Sequence, residues 1–196
     1  MISCFKGKFK VSSPRGYRVL NGVKEYHGGM DLVALGSDKF VYAISDGVVD
    51  ATPYEANGFG YYVRQKLSDG RRIYYAHLAK DSICVKPGQS VKKGDKLGVM
   101  GSTGNSTGAH THIELRVKGT SKTSLDISEF TGIPNKVGTY ESDEKLGMTA
   151  EEKHAYAVKC ACDVEDKCGL SKDTIKWLWT YKFADDLFIK IAQGMK

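Results

Sequence analysis

The sequence predicts an α+β protein, with a β-rich domain over residues 1–135, a linker at 136–148 and a small helical domain over 149–196. Two observations carry this reading. Up to about residue 130 the chain is written in short apolar runs cut by Gly, Asn, Asp and Pro, and no apolar period near 3.6 residues is sustained there. After Pro134 the pattern changes. Thr149-Ala150-Glu151-Glu152 has the form of a helix capping box, and Trp177, Tyr181, Ala184, Phe188 and Ile191 step by four and three as one helical face does.

In order along the front part, Phe40–Ile44, then Ser45-Asp46-Gly47, then Val48-Val49 reads as strand, turn, strand. Tyr61–Leu67 and Arg71–His77 flank Ser68-Asp69-Gly70, a hairpin whose turn is marked by Asp-Gly. Val91–Met100 reads as another strand pair around Gly94. The glycine-rich stretch Gly101–Gly108 lacks the Gly-Lys-Ser/Thr ending of a phosphate loop and is followed by the strand-like run HTHIELRV, so it is expected to carry the backbone around a tight corner. In the tail, Ser171 can cap the second helix and Gly194 suits its end. Its broad apolar face, which also takes in Trp179, Phe183 and Leu187, is expected to be core packing in the first instance.

A chain of 196 residues can bury one good core with a small appended domain. Nothing approaches the run of about 18 apolar residues that marks a membrane span. MISCFKGKFKVSS has no apolar stretch behind its lysines, so no secretory signal is visible. Cysteines at 4, 84, 160, 162 and 168 are odd in number and scattered, which favours reduced thiols. His154 with Cys160, Cys162 and Cys168 matches no structural zinc spacing. The net charge of +6 is uneven: residues 1–137 hold 20 Lys/Arg against 12 Asp/Glu, and residues 138–196 hold 9 against 11. A basic front part suits an anionic partner surface. Its basic residues are spread over strands and turns and not gathered on a helix, so an anionic cell-wall polymer fits as well as nucleic acid, and charge alone does not choose between them.

Four of the five histidines fall in three short motifs: His27-Gly28-Gly29-Met30-Asp31, Tyr75-Ala76-His77-Leu78 and His110-Thr111-His112. On a strand, His110 and His112 point to one face roughly 6–7 Å apart, and Glu114 continues that face, as a further ligand or, in the commoner role for such a carboxylate, as a partner for an imidazole N–H. Gly28-Gly29 argues against a helix and for a turn that lets His27 and Asp31 converge. Each motif alone is a weak signal. Together they supply five groups, two more than the three protein ligands of a catalytic zinc, and the surplus is what proton transfer requires.

These segments resemble the M23 family of zinc metallopeptidases, whose pattern is H-x-G-x-D, a Y-x-H-L element and S-T-G-x-H-x-H-F-E. Here they stand as His27–Asp31, Tyr75–Leu78 and Ser106–Glu114, and Gly16-Tyr17-Arg18, Ala43–Val49 and Val91–Asp95 are also similar. The match covers about residues 8–118; Thr111 and Ile113 replace the commoner Leu and Phe, which alters packing and not ligation. The resemblance implies a small antiparallel β-sheet with a groove across it and one zinc ion on the floor of the groove. It implies that His27, Asp31 and His112 are the zinc ligands and that His77 and His110 are the catalytic pair. It implies a peptidoglycan substrate cut in its peptide cross-bridges, at Gly–Gly or at D-amino-acid bonds. With no visible signal or pro-segment, the chain looks like a phage endolysin held in the cytoplasm until release onto the wall, its tail serving as a wall-binding module. A virion tail lysin would share the chemistry. A non-catalytic M23-like binding module would lack a ligand position, and here all five are filled. A biotinyl or lipoyl carrier, suggested by SVKKGDKLGVMGSTG, fails because no Lys flanked by Met stands at a hairpin tip.

Overall fold

The computed structural model describes residues 1–20, 22–117 and 124–142. The chain divides into two units, Met1–Gly147 and Met148–Lys196. The second unit lies outside the described residues, and with it the expected capping box, the apolar helical face and the His154/Cys160/Cys162/Cys168 group.

The first unit is built on an antiparallel sheet. Its strands are β1 (Lys8–Ser13), β4 (Met30–Ala34), β6 (Gly47–Ala51), β8 (Gly60–Lys66), β9 (Arg72–Leu78), β10 (Ser90–Val91), β12 (Thr111–Arg116) and β14 (Gly138–Glu141), in the order β10-β6-β8-β9-β12-β4-β1-β14. Two short strands, β7 (Tyr54–Glu55) and β13 (Ser124–Leu125), pair beside this path with β8 and β12. Two separate ribbons complete it: β2 (Gly16–Leu20) with β3 (Val23–His27), and β5 (Phe40–Tyr42) with β11 (Lys96–Val99).

Side chains alternate across the central strands, and this alternation separates core from site. Met30 and Leu32 of β4, Ile73 and Tyr75 of β9, and Ile113 and Leu115 of β12 are fully or almost fully buried on one face. Together with Phe5, Phe9, Ile44, Leu78 and Leu97 they form the core. Each such side chain contributes about 1.5–3 kcal/mol by leaving water. Tyr75 can sit there because its hydroxyl is satisfied, donating to Gln65 Oε1 at 2.8 Å and accepting from the Ile44 amide at 3.0 Å. The intervening positions Asp31, Tyr74, Ala76, His112, Glu114 and Arg116 go to the opposite face. There Phe59, Tyr62, Tyr74 and Ala76 make a second, smaller apolar cluster.

The Asp-Gly hairpin of β8 and β9 forms as the sequence predicts, with Gln65 opposite Ile73 and Lys66 opposite Arg72. Three expectations are corrected. Val91–Met100 is not a strand pair: β10 pairs with β6, and β11 pairs with β5. The turn between them, with Gly94 at φ 93° and Asp95 Oδ2 accepting from the Lys92 amide at 2.7 Å, sends the chain into a different sheet. Residues 138–141, placed in the expected linker, form β14 and pair with β1, where Tyr140 meets Phe9 at a ring separation of 6.1 Å. Among its described residues the front part also holds one helix, α1 (Ile127–Thr131), capped by Asp126 and closed by Gly132 at φ 71°. Five residues are too few to show a helical period. Among the described residues no helix is long and apolar enough to cross a membrane.

Candidate metal centre and active site

His27 closes β3 in the small ribbon, and Asp31 lies in β4 of the large sheet. Gly28-Gly29 is the joint between them, and the packing there is tight. A Cβ on Gly29 would stand 2.1 Å from the Ile113 carbonyl oxygen and 2.9 Å from the His112 ring; one on Gly28 would stand 2.7 Å from Glu114 Oε1. Across the sheet, His112 pairs directly with Asp31 on one side and with Ala76 on the other.

The result is three donor atoms around one point. His27 Nε2 is 3.0 Å from Asp31 Oδ1 and 2.9 Å from His112 Nδ1, and His112 Nδ1 is 2.9 Å from Asp31 Oδ1. His27, Asp31 and His112 are 5%, 7% and 5% exposed, so this cluster is withdrawn from bulk water. Each member is held from behind. His27 Nδ1 donates to the Pro14 carbonyl at 2.8 Å, and since a carbonyl only accepts, the neutral ring carries its lone pair on Nε2. His112 Nε2 donates to Glu114 Oε2 at 3.2 Å, leaving Nδ1 turned inward. Asp31 Oδ2 accepts from Arg18 Nη1 at 3.1 Å, leaving Oδ1 inward. Two nitrogens and one carboxylate oxygen, each oriented by an outer partner, suit a borderline cation such as zinc.

The charges follow from this crowding. Burial alone would raise the Asp31 carboxyl, but the His112 and His27 imidazoles set against it outweigh this and hold the group far below the usual carboxylate range. Burial opposes charge on His112, yet its bonds to Asp31 and Glu114 push it up to about 9. Glu114, at 2% exposure, is pulled down to about 2 because His112 and Arg116 overcome the cost of burying it.

His77 and His110 flank this cluster without joining it. Their rings are 4.7 Å apart, and His110 Nε2 is 3.6 Å from Asp31 Oδ1. His77 Nδ1 donates to the Thr103 carbonyl at 2.8 Å and His110 Nδ1 to the Gly108 carbonyl at 2.7 Å, so both neutral rings carry their lone pair on Nε2. Burial lowers His77 to about 4, so it is neutral near pH 7. All five sequence-predicted residues therefore line one cleft, with the Gly101–Gly108 corner beside it. The motifs did not point to Thr103, Phe59 or Arg116, and Arg18 entered only within the family-like segment Gly16-Tyr17-Arg18, with no role. Arg18 sits on the cleft side of β2 and is held by Glu25 at 2.7 Å; neither that family-like segment nor its alternation in β2 reveals that Asp31 is opposite.

Residues 25–124 match the model of Peptidase family M23. An uncharacterized metalloprotease of Haemophilus influenzae is 33% identical over 154 residues, covering 76% of this chain and 29% of that protein. Peptidoglycan DD-endopeptidase ShyC of Vibrio cholerae is 37% identical over 154 residues, covering 74% of this chain and 34% of that protein. The chain thus spans about a third of the length of these relatives. Among solved structures, the catalytic domain of the antimicrobial peptidase lysostaphin from Staphylococcus simulans superposes with a TM-score of 0.55 at 31% identity, covering 63% of this chain and 92% of that one. The catalytic domain of the prophage-encoded M23 protein EnpA from Enterococcus faecalis superposes with a TM-score of 0.52 at 32% identity, covering 60% and 88%.

Proposed function

This chain belongs to peptidase family M23, and on that premise we propose that it is a zinc-dependent endopeptidase that hydrolyses the peptide cross-bridges of bacterial peptidoglycan. The observation that carries the reading is the separation of two sets of groups in one cleft. His27 Nε2, Asp31 Oδ1 and His112 Nδ1 face a common point, while the Nε2 atoms of His77 and His110 stand beside it as free proton acceptors. His27, Asp31 and His112 would hold the zinc, one per chain. Bound there, zinc supplies Lewis acidity, lowering the pKa of a coordinated water to about 7 and polarising a carbonyl.

The chain's own residues do the rest. One of the two flanking imidazoles takes a proton from the attacking water and returns it to the leaving amine, and the protonated ring beside the carbonyl favours the developing negative charge. Neutral rings are required at the start, and the burial of His77 keeps it neutral at pH 7. The Thr103 and Gly108 carbonyls hold both rings in the tautomer this step needs.

The DD-endopeptidase relatives favour a bond between D-amino acids over a Gly–Gly bond as the one cut. The likeness to a prophage-encoded protein supports a phage lysin, held in the cytoplasm and acting on the wall after release. The net charge of +6 favours adhesion to anionic wall polymers. The test is digestion of purified cell walls of differing bridge chemistry, with mass analysis of the released fragments. Release of fragments cut at one bridge type, abolished by a chelator and restored by zinc, is the expected result. Binding to walls with no cut fragment, zinc present, would overturn the proposal.

A further inference from the structure

Arg116 lies outside every motif that identifies the site, yet it is built into it. It is 9% exposed, on the cleft face of β12 two positions beyond Glu114. Its Nε donates to Glu114 Oε1 at 2.7 Å and its Nη2 to Glu114 Oε2 at 2.8 Å, a two-pronged pairing that fixes the plane of the carboxylate. Its guanidinium packs against two neighbouring rings, 4.5 Å from the centroid of Tyr74 and 5.0 Å from that of Phe59. Phe59 in turn stacks on His112 at 5.4 Å and 27°. On the Gly28 side there is little free space, since a Cβ there would stand 2.7 Å from Glu114 Oε1.

We infer that Arg116 is a positioning residue for the metal centre. It holds the Glu114 carboxylate in plane so that Glu114 Oε2 takes the Nε2–H of His112, and His112 is thereby fixed with its Nδ1 aimed at the point shared with His27 and Asp31. The inference rests on the metal reading above. Physically, the chain of contacts is Arg116 to Glu114 to His112, and each link has a stated direction of donation. A lysine at 116 would supply charge but only a single point of contact, so it would hold the carboxylate without fixing its plane. An apolar side chain would leave Glu114 buried with an unmatched charge.

The measurement is zinc affinity, by competition with a chromophoric chelator, on the full chain. The variants are Arg116→Met, Arg116→Lys, Glu114→Gln and the double Arg116→Met/Glu114→Gln, with near-ultraviolet circular dichroism of each to verify native packing. Arg116→Met is expected to bind zinc about 10–100-fold more weakly than the parent, the usual cost of losing an outer partner. Arg116→Lys should recover part of that loss. If Arg116 acts through Glu114, the double variant should bind no more weakly than the weaker single variant, because the two substitutions break the same link. The double variant also removes the unmatched carboxylate, so it gives a natively packed protein to measure should Arg116→Met pack poorly. Zinc binding by Arg116→Met equal to the parent, or losses that add in the double variant, would overturn the inference. A parent that takes up no zinc would overturn the metal reading itself, and this inference with it.

Discussion

His77 Nδ1 stands 2.8 Å from the carbonyl oxygen of Thr103, and His77 makes this contact while holding a φ of 60°. Non-glycine residues seldom adopt that left-handed conformation, which costs about 1–3 kcal/mol and persists only where the surroundings overdetermine it. Here they do. Thr103 Oγ1 donates to the Leu78 carbonyl at 2.7 Å and accepts from the Tyr61 amide at 3.0 Å, and the His77 amide donates to Phe59 at 2.8 Å. The strand end is clamped on three sides, and the ring is left with Nε2 free toward the cleft.

His77→Ala and His110→Ala are each expected to keep full metal stoichiometry while turnover on cell walls falls by about 10²–10⁴-fold, the range of positioned proton transfer. Elemental analysis alongside a fragment-release assay checks this. Loss of metal from either variant would move that histidine into the ligand set.

Asp31→Ala should lose metal more severely than any outer-partner variant, for which about 10–100-fold is usual. It removes the oxygen that both imidazoles face and leaves the Arg18 guanidinium with only Glu25 and Ser13. Dialysis against graded chelator reads the retention. A fully metallated Asp31→Ala protein would remove Asp31 from the ligands.

The two glycines of the joint should respond differently. Gly29→Ala brings a methyl to 2.1 Å from the backbone oxygen of Ile113, which cannot give way without opening β12, so a loss of about 2–4 kcal/mol in urea unfolding is expected. Gly28→Ala meets only the tip of Glu114, so its loss should stay under about 1 kcal/mol while zinc affinity drops. Equal stabilities for the two variants would contradict this contrast.

The metal-free protein should lose stability on acidification through His77. Its folded pKa of about 4 lies below the usual 6.5, so the unfolded chain binds this proton more readily. Above pH 6.5 the ring is neutral in both states and nothing changes. Between 6.5 and 4 the unfolded state is progressively favoured, by up to about 3 kcal/mol in all. Urea midpoints in chelator at pH 7, 5.5 and 4.5 should therefore fall less steeply for His77→Asn than for the parent. Parallel curves would refute the assignment. His112 works in the opposite sense: its raised pKa of about 9 stabilises below 6.5, and that contribution fades as pH rises through 9.

By itself the sequence determined the β character of the front part, the Asp-Gly hairpin, and five groups with the right chemistry, because these are written in period, turn residues and side-chain type within a few positions of one another. It also carried the family, since the motif order survives in the linear text. Only the tertiary structure decided which strands are neighbours. Val91 and Lys96 are close in sequence and go to different sheets, whereas Lys8 and Glu141, at opposite ends of the described chain, are paired. The same holds in the site: Asp31 faces His112 through strand register, Pro14 and Thr103 supply backbone carbonyls that no side-chain pattern records, and Arg116 matters only because alternation along β12 returns it to the face of Glu114. Local propensity is encoded residue by residue, but register is set by packing the whole core, and the outer partners of the site inherit their places from it.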